Sequence, residues 1–279
     1  MRTITAPGGR GEHEDYDLCV ARTKGVKQRA LKRLRPEVVQ KCRRYIRSGE
    51  SVQGIRAAAN IAKLDADRLR SLYNFTYKGR VLEQMRADAF ASANRRCPMC
   101  DVGRPRTLDH YAPASKFPHL AVFYGNLIAV CHDCNNLKGE HWSGARQKQF
   151  LHAYQHQIPA AAMFLRCDAV RHGVLSPRFS IFNGGGFDVQ LLPNLQFQFE
   201  RLRLGDLYSD EAIELFRTRT NHWWRGLNEG GLARLRTELD SDILSAETVM
   251  HQSHWHPVFL RALRVALNSG QMAVTILRP

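Results

Sequence analysis

The stretch LDHYAPASKFPHLAVFYGNLIAVCHDCNNLKG, residues 108–139, decides how this chain reads. It places an acid beside an imidazole, Asp109-His110, then a single Asn126, then Cys131-x-x-Cys134-Asn135. A second Cys-x-x-Cys, Cys97 and Cys100, lies just upstream. Two such pairs are metal spacing, and four thiolates favour tetrahedral zinc. A shell closed by four thiolates has no open position for water or substrate, so this zinc is expected to be structural. It should tie the strands around His110 to a helix starting near Cys134. Cys19, Cys42 and Cys167 stand alone and read as buried or incidental thiols.

Working outward, the formal net charge is +15, and the excess is N-terminal. Residues 1–95 hold 21 Lys and Arg against 10 Asp and Glu, whereas residues 149–279 hold 13 against 12. A basic surface of this kind points to a polyanionic partner, DNA or an anionic membrane. No apolar run is long enough to cross a bilayer, which makes DNA the expected partner and argues against a membrane. The first residues have no apolar core of a secretory signal, and paired rather than scattered cysteines suit a reducing compartment; both point to the cytoplasm.

The fold class expected is α+β and mostly helical, with a small zinc-stapled finger flanked by helical regions. The expected division is a flexible N-terminus over 1–21, a basic helical region over 22–94, the finger over 95–148, and a mainly helical region over 149–279. Leu31, Leu34, Val38, Cys42 and Ile46 recur at helical steps, with Pro36 expected in the first turn and Gly49 at the end. Further helices are expected from Ser51, from Asp65 or Asp67, through RVLEQMRADAF, over 150–165, over 211–224 and 228–249, and in PVFLRALRVALNSG. LQFQFERLRL alternates and reads as a strand, and SIFNGGGFDV as a turn. No phosphate-cradling GxxxxGK[ST] loop occurs, so the chain should not itself be a P-loop ATPase.

Residues 97–139 resemble the HNH endonuclease family, whose shared unit is a ββα metal finger. The resemblance rests on Asp109-His110 followed by Pro113, on Asn126-Leu127, and on Cys131-x-x-Cys134-Asn135-x-x-Lys138-Gly139. Asn135 stands where the eponymous second His would be, an exchange that the family allows. The resemblance implies that His110 is the general base, that Asp109 and Asn135 hold Mg²⁺ or Mn²⁺, and that Asn126 fixes the imidazole or its loop. The implied reaction is hydrolysis of DNA to 5′-phosphate and 3′-hydroxyl ends.

The chemistry of these residues suits those roles. Carboxylate and amide oxygens are hard ligands for Mg²⁺, and an imidazole titrates near neutrality. Lys138, Arg104, Arg106 and Lys116 are candidates for phosphate contact, with Arg146 and Lys148 continuing the track. Trp142 reads as a packing anchor. The family also occurs in restriction and anti-phage defence, where some members work with a separate ATPase, and double-strand cleavage would call for a homodimer or successive nicks. The alternative is a non-catalytic zinc module that binds DNA or protein, which has no need of Asp109, His110 or Asn135.

Overall fold

The computed structural model describes residues 1–8, 11, 13–49, 55–57, 60–143 and 147–278. Of the helix expected from Ser51, residues 51–54 and 58–59 lie outside the described residues, and 55–57 and 60–62 are not helical; the contact expected of Arg146 also lies outside the described residues. The chain forms two compact units, 1–157 and 158–279, and among the described residues the elements are helices and two small antiparallel sheets. The α+β, mostly helical class is therefore what is found. The basic helices and the finger share one unit, which ends at 157 rather than 148.

In the N-terminal unit, α1 (Glu14–Ala21) packs on α2 (Gly25–Ser48). Ala30, Leu31, Leu34, Val38, Cys42 and Tyr45 form the buried stripe of α2 at three- and four-residue steps. Pro36 lies inside this helix, not in its first turn. It removes one backbone bond, but the buried stripe runs past it on both sides and holds the helix together. Gly49, at φ 49°, ends the helix as expected. The α1 to α2 contact is pinned by Arg35, whose Nε and Nη2 meet both oxygens of Asp17 at 2.7 and 2.8 Å. Helices α3 (Lys63–Arg70) and α4 (Glu83–Ser92) follow.

The expected flexible N-terminus is instead ordered by specific bonds. Met1 and Ile4 are buried. Arg2 meets Asp101 at 2.9 Å, and Ile4 N donates to Ala153 O at 2.9 Å. Glycine-rich composition hid these anchors, which are all distant in sequence.

Strands β1 (Thr107–His110) and β2 (Leu127–Val130) pair antiparallel, with Asp109 opposite Ile128 and His110 opposite Leu127. The short α5 (His132–Lys138) starts at Cys131, whose Sγ accepts from Cys134 N, and stops at Gly139 with φ 54°. Residues 150–165 contain no helix, against expectation. Ring nitrogens there take the backbone donors: His156 Nδ1 accepts from His152 N at 2.7 Å and His152 Nδ1 from Tyr154 N at 3.1 Å.

The C-terminal unit holds the hairpin β3 (Leu165–Arg171) and β4 (Val174–Ile181), which the sequence reading missed. Its turn is His172-Gly173, with φ of 50° and 77°, the geometry that matches strand twist. The expected strand LQFQFERLRL is helical, in α6 (Leu192–Arg201). Leu191, Leu195, Phe199 and Leu202 are buried at helical steps, a stripe that the alternation of residues concealed. α7 (Leu204–Val249) breaks at Gly231, φ 64°, into two arms; two helices were expected, but with the gap at 225–227. Trp223 Nε1 donates to Asp242 Oδ2 at 3.0 Å, and a methyl on Gly226 would meet Glu238 at 2.2 Å, so the arms lie side by side. α8 is Trp255–Asn268.

Candidate metal centre and the adjoining cleft

Cys97, Cys100, Cys131 and Cys134 are all buried, and their sulfurs lie within 4.8 Å of one another. Cys100 Sγ and Cys131 Sγ are 3.9 Å apart. A zinc–sulfur length of about 2.3 Å in a tetrahedron requires sulfur edges of about 3.8 Å, so the four thiols fit that ion. Gly103 N donates to Cys100 Sγ at 3.4 Å and Cys134 N to Cys131 Sγ at 3.5 Å, orienting lone pairs within the cluster. Hydrogen bonds from Cys131, Cys134 and Cys97 hold the Cys100 thiol far below its ordinary range. Gly103 is needed for closeness: a Cβ there would sit 2.9 Å from Cys131 Cβ and 3.0 Å from its Sγ. His132 is exposed and His141 bonds Lys148 O at 2.8 Å, so neither joins the cluster.

The cluster fixes the start of α5 and, through it, the end of β1. Asp109 and His110 both line a cleft of about 380 Å³, together with Arg70, Ser115, Gly139 and Glu140. His110 Nε2 lies 2.8 Å from Ala121 O. A carbonyl only accepts, so the neutral ring carries its proton on Nε2 and leaves the Nδ1 lone pair free. Burial pushes the imidazole pKa down to about 4, against the pull of that carbonyl, so the ring is neutral at physiological pH. Tyr73 packs on the ring at 5.0 Å between centroids and is itself tied to Leu108 O at 2.8 Å.

Lys138 is not on a phosphate-facing surface. It is 2% exposed, and its Nζ meets Asp109 Oδ2 at 2.9 Å, Asp109 Oδ1 at 3.2 Å and His110 O at 2.8 Å. Three acceptors saturate the ammonium. Burial raises the Asp109 pKa, and the neighbouring Lys138 charge works to lower it. Asn135 is half-buried on the same face of α5, three residues before Lys138, but does not line the cleft.

Asn126 is fully buried behind the cleft. Its Oδ1 accepts from Ala112 N at 2.7 Å and from Tyr45 Oη at 3.3 Å, and its Nδ2 donates to Ala112 O at 3.0 Å and Leu120 O at 3.3 Å. Tyr45 Oη in turn lies 2.7 Å from His152 Nε2. Asn126 thus braces the loop that presents the Ala121 carbonyl. Arg104, Arg106 and Lys116 are exposed but off the cleft wall. Trp142 packs against Phe117, centroids 4.7 Å apart, as the anchor expected.

Sequence reading missed Arg70, Tyr73 and Glu140, none of which belongs to a motif. Glu140 carried a usable signal, since it directly follows the glycine that ends α5.

No family model matches the chain, and no solved structure matches it. It is similar to protein ea31 of Escherichia phage lambda, 30% identical over 98 residues, which are 34% of this chain and 33% of that protein. The chain thus spans about one third of the length of that relative.

Proposed function

We propose that the chain is a metal-dependent DNA endonuclease of the HNH type, with His110 as the general base. One observation carries the reading: the free Nδ1 of a neutral, oriented imidazole shares a solvent-open cleft with the Asp109 carboxylate. The order β1, β2, α5 around four thiols supports it, because that order is the one the family resemblance implies.

His110 Nδ1 takes the proton of the attacking water. The Ala121 carbonyl and the Tyr73 ring hold the imidazole in place while this happens. Asn126 acts through the loop and touches neither water nor phosphate. Arg70, on the cleft wall and paired with Asp67, would face the scissile phosphate. The oxygen donors on the cleft wall suit a hard cation: Asp109 and Glu140 would hold Mg²⁺ or Mn²⁺, whereas Asn135, off that wall, enters the ligand set through the resemblance alone. Such an ion supplies charge against the phosphate oxygens. The thiolate shell is closed, so its zinc is structural. A separate ATPase, a role in anti-phage defence and a homodimer come from the resemblance alone, and no residue of the cleft requires them.

The non-catalytic zinc module is favoured by one observation, the engagement of both Asp109 oxygens by the buried Lys138. The test is nicking of supercoiled DNA in Mg²⁺, in Mn²⁺ and in EDTA, by the wild type and by His110→Ala, with zinc content measured in both. Metal-dependent nicking that disappears in the zinc-loaded variant supports the nuclease. DNA binding without nicking in either protein supports the module.

A further inference from the structure

The C-terminal unit contains a groove of about 730 Å³ that no part of the nuclease reading uses. One wall is the whole of β3, residues 165–171. Among the described residues β3 pairs with β4 alone, so its other edge has no strand partner there. Ser253 Oγ accepts from Phe164 N at 2.7 Å, just before that edge begins. From Arg166 onward, the edge makes no backbone hydrogen bond outside the hairpin among the described residues. The other wall is α8, which packs against β3 and contributes Val258, Ala262, Val265 and Ala266 at helical spacing. Val265 is 64% exposed, a large apolar side chain with nothing covering it.

The charge lining this groove is one-sided. Arg166, Arg171 and Arg178 line it and make no ion pair among the described residues. Arg166 is nevertheless held in place, with Nε 3.0 Å from Ser180 Oγ and its guanidinium 6.0 Å from the Phe182 ring centroid. Arg261 is already neutralised by Glu247 at 2.6 Å. Among the described residues, Asp168 is the one acid on the wall. Since residues 149–279 carry 13 Lys and Arg against 12 Asp and Glu, this excess is local and belongs to the groove.

We propose that this groove binds an extended acidic segment of a partner protein, added as a strand along the free edge of β3. An added strand satisfies both the N–H and the C=O groups of such an edge. Nucleic acid fits less well, because phosphates only accept and would leave the edge carbonyls unpaired. A second copy fits less well too, since pairing like edges about a two-fold axis sets arginine against arginine. The alternation of an extended chain puts every second side chain on the apolar row of α8 and the others toward the arginines. At about 3.3 Å per residue, the edge accommodates about seven residues.

The test uses the full zinc-loaded chain and a fluorescein-labelled octapeptide of alternating Glu and Val. The comparison probes are the Lys-for-Glu peptide and a short single-stranded DNA. Anisotropy should give a Kd of about 10–100 μM for the acidic peptide, weakening as salt is added. The double variant Arg171→Glu/Arg178→Glu should weaken it by about tenfold or more. Hydrogen exchange over 166–171 should slow when the peptide binds. The proposal is overturned by no acidic-peptide binding up to about 1 mM. Equally decisive against it are binding that leaves exchange over 166–171 unchanged, binding indifferent to the two substitutions, and preference for the DNA. Because the readouts are binding and exchange, a failed nuclease assay leaves this test intact.

Discussion

Lys138→Met probes the arrangement at the cleft most directly. The ammonium is 2% exposed, its partner carboxylate 11%, and the two meet at 2.9 Å. Surface ion pairs contribute about 0–1 kcal/mol, whereas removing one member of a buried pair costs about 3–5 kcal/mol because the other charge is left uncompensated. The geometry places this pair in the second class, so Lys138→Met should lower unfolding stability by about 3 kcal/mol or more. Against a total of about 5–15 kcal/mol, that loss is easily read in urea titrations of zinc-loaded protein. The substitution also removes the group that counters the burial of Asp109, so the Asp109 pKa should rise further. Exchanging both partners, Lys138→Met with Asp109→Leu, should recover a large part of the loss, and the cycle gives the coupling directly. A cost under about 1 kcal/mol for Lys138→Met, with no coupling in the cycle, would refute the buried pair. Lys138 would then be free to act as the surface phosphate contact that the sequence suggested.

Three further outcomes are expected. His152 is buried and neutral, its pKa pushed down to about 3 by burial, then by neighbouring His156. A folded pKa below the unfolded value of about 6.5 means that protons favour unfolding, so stability is full above pH about 6.5 and falls as pH drops toward about 3. Wild type should therefore lose stability relative to His152→Asn in urea titrations between pH about 6.5 and about 5, by up to about 1.4 kcal/mol per unit; a flat difference contradicts the buried neutral ring. Gly103→Ala puts a methyl 2.9 Å from Cys131 Cβ and should speed zinc loss to a chromogenic chelator without changing the helical content. Stripping zinc should lower the thermal midpoint, and re-adding it should restore that midpoint, since the four buried thiols hold the strands and α5 together.

The sequence made the thiol cluster and the Asp109-His110 pair legible because spacing alone encodes them. Helix α2 and both arms of α7 were legible from their periodicity, with Gly49 as punctuation, although the break at Gly231 falls inside the second helix expected, over 228–249. What stayed hidden was long-range. The partner of His110 is a backbone carbonyl, which no residue type announces. Lys138 reads as a surface cation until the fold closes Asp109 over it. Tyr45 and His152 brace Asn126 from remote segments. Over 192–201 the residues satisfied two periods at once, and burial on one side selected the helix.

The anchoring of the first four residues has a kinetic consequence. Arg2 bonds to Arg96 O at 2.7 Å and Thr3 Oγ1 to His156 O at 2.7 Å, across sequence separations of 94 and 153. Contacts this distant close large loops and reward the chain only after most of the unit is in place. They should therefore be absent from the rate-limiting ensemble. Arg2→Ala is then expected to accelerate unfolding while leaving the refolding rate nearly untouched, which makes the segment a late latch on the persistence of the folded unit rather than a guide to its assembly.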